Sequence, residues 1–106
     1  MAELSKAAVD VLAERRRQIE VEGWTPEHDD QHGDGSMAQA AAVYAEYAAS
    51  GFLHFTGQKI AERGNAPVRW PWDSGWWKPK NRRYDLVRAA ALILAEIERL
   101  DRASCS

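Results

Sequence analysis

A chain of 106 residues has the size of one small domain, because it can bury a single core and has little room for a second. Hydrophobic residues make up 45% and charged residues 28%, a globular balance that excludes intrinsic disorder. The net charge of -2 and the pI near 5.9 exclude a global attraction to nucleic acid or to an anionic membrane, so any basic site must be local.

Residues 3 to 22 carry Leu4, Ala8, Val11, Leu12 and Ile19 at helical spacing, and Gly23 supplies a stop. The spacing predicts a first helix whose inward stripe is mixed. At about 100° per residue, Arg15 and Glu22 project into the same arc as Leu4, Ala8 and Ile19, with Gln18 at its edge. Residues 24 to 35 are rich in turn and cap residues. Ser36-Met37-Ala38-Gln39 has the form of a capping box, which predicts a second helix over about 37–50. Met37, Ala41, Tyr44 and Ala48 form its stripe, and Gly51 ends it. Residues 51 to 69 read as a variable connection, with Phe52, Leu53, Phe55 and Ile60 interrupted by Gly57, Gly64 and Pro67. A Trp-rich loop follows over 70–80. Asn81 is placed to cap a last helix over about 82–102, with Leu86, Ala90, Ile93, Ile97 and Leu100 as its expected buried stripe. Glu96, Glu98 and Arg99 are expected on its solvated face.

Cys105 is the single cysteine, which excludes an intrachain disulfide framework and is expected of a reducing compartment. Met1 to Lys6 lacks an apolar signal core, and the longest apolar run, Ala89 to Ala95, falls well short of the ~20 residues that span a bilayer. The expectation is a cytoplasmic protein with no membrane partner.

Three constellations could carry chemistry. The first is Trp70-Pro-Trp72-Asp-Ser-Gly-Trp76-Trp77-Lys-Pro-Lys80, where two prolines stiffen the segment that presents the indoles. Arg69, Lys78, Lys80, Arg82 and Arg83 flank it against Asp73 alone. Flat π faces beside a local positive field suit a nucleotide, with the base stacked and the phosphates paired to Lys or Arg. The competing reading is a satellite core in which the indoles cover helix ends.

The second is Gly23 to Asp34, with His28, Asp29, Asp30 and His32. Two imidazoles among carboxylates could bind a divalent metal, or hydrogen-bond a ribose or base edge. Thr25-Pro26-Glu27 also reads as an N-cap, a first-turn proline and a first-turn acid, which would start a short helix. The third is the inward trio Arg15, Gln18 and Glu22. It could meet a phosphate and a hydroxyl, or could form an internal pair in which Glu14, Glu22 or Asp85 holds Arg15.

On these residues the chain resembles a family of small proteins of tailed phages and prophages. The matching stretches are Glu14-Arg15, Gln18-Ile19, Glu22 to Asp30 with His32, Trp70-Pro71-Trp72, Trp76 to Pro79, and Asp85-Leu86-Val87 through Leu100. A more distant similarity is to the ryanodine-receptor repeat, or RyR, domain. It is carried by an Arg-containing helix, Gly23-Trp24-Thr25, Asp29-Asp30, His32 and Tyr84-Asp85-Leu86, and it departs at Gly33, where that pattern has proline. The resemblance implies nucleotide binding.

Together these readings lead to a mainly α, RyR-like single domain of three main helices plus a long Trp-rich loop. The leading expectation is a phage-type protein that sequesters a host immune signalling nucleotide without catalysis and without a cofactor. Its ligand residues would be Arg15, Gln18, Trp24, Thr25, His28, Asp30, His32, Trp72, Trp76, Trp77, Lys78, Lys80 and Arg83. No catalytic residue is assigned, since no nucleophile–base pair is evident. One alternative is a MazG-like nucleotide pyrophosphohydrolase using Mg or Mn, with ligands drawn from Glu20, Glu22, His28, Asp29, Asp30 and His32. Another is a helical module that docks a host protein through Trp76 and Trp77. A homo-oligomer is expected, with a small nucleotide and not nucleic acid as the partner.

Overall fold

The computed structural model describes residues 3–49 and 66–105. Ser5 stands in extended backbone and its hydroxyl accepts the Ala8 N–H at 3.1 Å, which starts α1, Lys6–Glu20. Gly23 then takes φ 78°, in the left-handed region that glycine enters without a Cβ clash. The Trp24 N–H donates back to the Gln18 carbonyl at 2.9 Å, closing the turn. Thr25 caps α2, Pro26–Asp29, by accepting the His28 N–H at 3.2 Å. Pro26 sits in the first turn, where its missing N–H costs nothing.

The start of α3, Ser36–Ala48, corrects the capping-box expectation. Gly35, at φ 85°, is the N-cap, and no side chain caps the helix. Ser36 already belongs to the helix, and its N–H donates to Asp34 Oδ1 at 3.0 Å. The expected stop at Gly51 and most of the variable connection over 51–69 lie outside the described residues. The Trp-rich loop contains one 3-10 turn, Ser74–Trp76. It leads into α4, Arg82–Cys105, whose first turn is capped as expected, Asn81 Oδ1 accepting the Tyr84 N–H at 2.8 Å. The described residues contain these four helices and no strand, so the architecture is mainly α. Among them no helix is long and apolar enough to cross a membrane.

The central helix is α4, which packs against α1, α2 and α3. Its core side is not the stripe expected from periodicity. Ala89, Ala91, Leu92 and Ala95 are buried together with Asp85, Arg88 and Glu96, whereas Leu86, Ile93, Ile97 and Leu100 stand about half exposed. The reason lies in α3, which offers Ala40, Ala41 and Val43. Small residues on both helices allow close approach, and a row of leucine and isoleucine would hold the helices apart. Two helical rows of α4 therefore compete, and the one that fits an alanine surface faces inward.

The docking of α1 is more polar still. Its buried residues are Glu14, Arg15 and Gln18, while Leu4 and Leu12, expected in the inward stripe, are exposed. Every buried charge needs a partner, because desolvation otherwise costs several kcal/mol. Arg15 has three: its Nη2 donates to Asp29 Oδ2 at 2.8 Å, its Nη1 to the Trp24 carbonyl at 3.2 Å and its Nε to Glu98 Oε1 at 3.1 Å. Glu14 accepts from Arg17 Nε at 2.8 Å and from the Tyr84 hydroxyl at 3.2 Å. Glu96 is also buried, accepting from Arg99 Nε at 2.6 Å. Of the α4 acids expected in solvent, Glu98 thus joins α4 to α1, and Glu96 is buried against its own helix.

Candidate ligand-binding site

The Gly23 turn, α2 and the Trp-rich loop converge on a cleft of about 280 Å³ lined by Glu22, Trp24, His28, His32, Trp72, Asp73 and Trp76. Its wall is an arc of aromatic rings. Trp24 lies 6.3 Å from Trp76 at 50° and 5.9 Å from Trp72 at 62°, between ring centroids. Trp72 continues to His32 at 5.5 Å, and His32 to His28 at 4.9 Å. The indoles are mutually inclined, with Trp24 and Trp72 packed edge to face, and together they make an angled wall of the cleft.

Each wall is fixed from below. Trp24 is held through its backbone, its N–H bound to Gln18 and its carbonyl to Arg15. His28 is carried by the capped α2, and His32 by the turn after it, where its N–H donates to the Asp29 carbonyl at 2.9 Å. The Ser36 hydroxyl lies 3.3 Å from His32 Nδ1. Asp73 accepts the Gly75 N–H at 3.1 Å through Oδ1, which starts the 3-10 turn presenting Trp76. The far end of the loop is pinned to the core. The Lys78 N–H and Arg88 Nη1 both donate to the Tyr44 hydroxyl at 3.1 Å. Arg88 also donates to the Lys78 carbonyl, and the Lys80 N–H donates to Asp85 Oδ1 at 2.8 Å.

The loop divides its tryptophans. Trp70 and Trp77 are buried, 7% and 3% exposed, against Tyr44, with Tyr44 and Trp77 stacked at 4.7 Å. Trp72 and Trp76 face the cleft, and Trp76 remains 45% exposed. Trp77, expected to touch ligand, is therefore core. Trp70 and Trp77 thus lie in the core, Trp72 packs on Trp70 at 5.4 Å while bordering the cleft, and Trp76 is the exposed indole at it.

Five of the expected ligand residues line the cleft: Trp24, His28, His32, Trp72 and Trp76. The others serve elsewhere. Arg15 is buried in its ion pair with Asp29, and Gln18 is fully buried beside Glu14. Thr25 is the cap of α2. Asp30 accepts from Arg102 Nη2 at 2.7 Å. Arg83 pairs with Asp10 at 2.9 Å, and Lys80 lies over the Tyr84 ring. Of the flanking bases, Arg69 pairs with Glu46, and Lys78 lies at the rim, its Nζ 5.3 Å from the Trp76 centroid. The same pairings explain the metal alternative. Asp29 is held by Arg15, Asp30 by Arg102 and Glu22 by Arg17, and no three His, Cys, Asp or Glu among the described residues are grouped to hold a metal ion.

Burial acts on the acids that support the site. Desolvation pushes the Asp29 carboxyl above its ordinary value, and Arg15 and His28 pull it back only in part. Glu14 is also desolvated, but hydrogen bonds and charge from Arg17, with help from Tyr84 and Arg88, hold it below its ordinary value.

Sequence reasoning missed Asp73 as a lining residue, although the Asp-Ser-Gly sequence before Trp76 is the signature of an Asx turn that fixes the carboxylate beside the indole. It also missed Tyr44 and Arg88 as the anchor of the loop. A lone arginine among apolar residues of α4, at 88, was the available signal. Compared with family models, curated proteins and solved structures, the chain matches none.

Proposed function

We propose that the chain is a nucleotide-binding protein of phage type, which takes up a host signalling nucleotide and withholds it without catalysis. The observation that carries this reading is the arc Trp76–Trp24–Trp72–His32–His28 around a cleft of about 280 Å³. Small-molecule sites typically run ~300–1,000 Å³, so this one suits a single base, with sugar and phosphates outside it. Inclined aromatic walls supply contact area at little entropic cost, since each indole has only two side-chain torsions and here its backbone is fixed. Lys78 at the rim offers a phosphate a partner.

The sequestering reading also draws on the resemblance of Glu22 to Asp30 and Trp70 to Pro79 to phage proteins, and of Gly23-Trp24-Thr25 to RyR domains. It is tested by calorimetric titration with cyclic dinucleotides and NAD-derived cyclic nucleotides. A saturable heat, with intact ligand recovered after the complex is heated, is expected. Null titrations across the panel, or turnover of nucleoside triphosphates with Mg²⁺ or Mn²⁺, would overturn it.

A further inference from the structure

We infer that the cleft selects a nucleotide whose base carries a delocalised positive charge, as in a ring quaternised at nitrogen, over the neutral form of the same base. This rests on the nucleotide reading above and adds the charge of the group that enters. The selectivity is electrostatic. An indole face is the negative pole of its quadrupole and attracts cations more strongly than any other aromatic side chain. Trp24, Trp72 and Trp76 all line the cleft and Trp76 is 45% exposed, so a ring that enters it lies against indole surface.

The charged side chains lining the cleft are both acidic, Glu22 and Asp73. Glu22 is shared with Arg17 at 3.0 Å, whereas Asp73 forms no ion pair among the described residues and is tied to the turn by the Gly75 N–H. The bases that would neutralise a phosphate inside the cleft are committed elsewhere, Arg15 to Asp29 and Arg83 to Asp10. Lys78 lies over Trp76, outside the lining residues, and leaves the anionic end of the ligand at the rim. A neutral base gains stacking alone in such a cleft. A cationic base gains stacking, the π surface and the carboxylate of Asp73, which no basic side chain pairs among the described residues.

Matched pairs test this by calorimetry at fixed salt: oxidised against reduced nicotinamide mononucleotide, and 7-methylguanosine monophosphate against guanosine monophosphate. Each pair keeps the sugar and phosphate and changes the charge of the ring. The cationic member is expected to bind about tenfold tighter or more, the scale of a desolvated cation–π contact. Asp73→Asn keeps the oxygen that accepts the Gly75 N–H, and should narrow that preference to within about threefold. Equal binding within both pairs, or a preference that Asp73→Asn leaves intact, overturns the inference while the nucleotide reading stands. Failure of all four nucleotides and of the wider panel to bind overturns both.

Discussion

Four tryptophans within one short loop meet two fates. Trp70 and Trp77 pack on Tyr44 and are nearly fully buried, while Trp72 and Trp76 turn to a cleft that Trp24 completes from the other side. The residue type is the same and the separation in sequence is small, so composition does not decide the role. What decides it is where the backbone is tied. The Tyr44 hydroxyl holds Lys78, which drives the preceding Trp77 inward, and the Asp73 turn lifts Trp76 away from the core. The buried pair gives the loop a base in the core, and the other pair borders the cleft on that base.

The largest stability loss is expected from removing a buried indole. Trp77→Ala should cost about 3–5 kcal/mol, the range for truncating a large aromatic in a core, and thermal or urea unfolding would read it. A loss below about 1 kcal/mol would mean that the two pairs do not differ as described. Arg15→Ala follows closely. It strands the buried Asp29 carboxylate and releases the Trp24 carbonyl, so a loss of about 3–5 kcal/mol is expected. At temperatures where the variant is still folded its ligand affinity should also fall, because the Trp24 wall is no longer fixed.

A smaller effect is pH-dependent. The Glu14 carboxyl lies below its ordinary value of 4.5 in the folded protein, as Arg17 outweighs its desolvation. Its contribution to stability is therefore present above that value and is lost as pH falls through the depressed folded value. Glu14→Gln should lower the Tm at pH 7, and its deficit should shrink as the pH is taken below 4.5. Asp29 has the opposite sign. Burial raises its folded value above 3.8, so its own term favours the folded state at low pH and weakens as pH rises through the raised value. A Glu14→Gln deficit that stays constant with pH would show that the Arg17 pairing adds nothing.

Much of the fold was legible because the signals were local. Thr25 with Pro26, and Asn81 before Arg82, announce caps that the structure contains, since capping depends on neighbours within one turn. The expected ligand residues drew on the Trp-rich loop, the Gly23–His32 turn and the inward face of the first helix; the loop and the turn meet at the cleft, whereas Arg15 and Gln18 are buried in the helix packing. The facing of α4 was not. Its sequence carries both a Leu86–Ile93–Ile97–Leu100 row and an Asp85–Ala89–Leu92–Glu96 row. Hydrophobicity alone favours the first, and only the alanine surface of α3 and the partners of the buried charges favour the second.

The site shows the same division. Aromatic clustering pointed to Trp72 and Trp76, but equally to Trp77, whose burial depends on the distant Tyr44. The basic residues were visible as a cluster, yet their partners, Asp10 for Arg83 and Glu46 for Arg69, come from other helices. Local positive composition therefore suggested a phosphate pocket, whereas pairing across the fold leaves acids in the cleft.

The most direct measurement compares Trp76→Ala with Trp77→Phe, each for unfolding free energy and for binding of oxidised nicotinamide mononucleotide. Trp76 is half exposed at the cleft, so Trp76→Ala is expected to cost under about 1 kcal/mol in stability and to weaken binding about tenfold or more. Trp77→Phe, a smaller ring in the core, is expected to lower stability and leave the affinity unchanged. Binding that survives Trp76→Ala intact, or that Trp77→Phe weakens as much, would contradict the division between a core pair and a ligand pair.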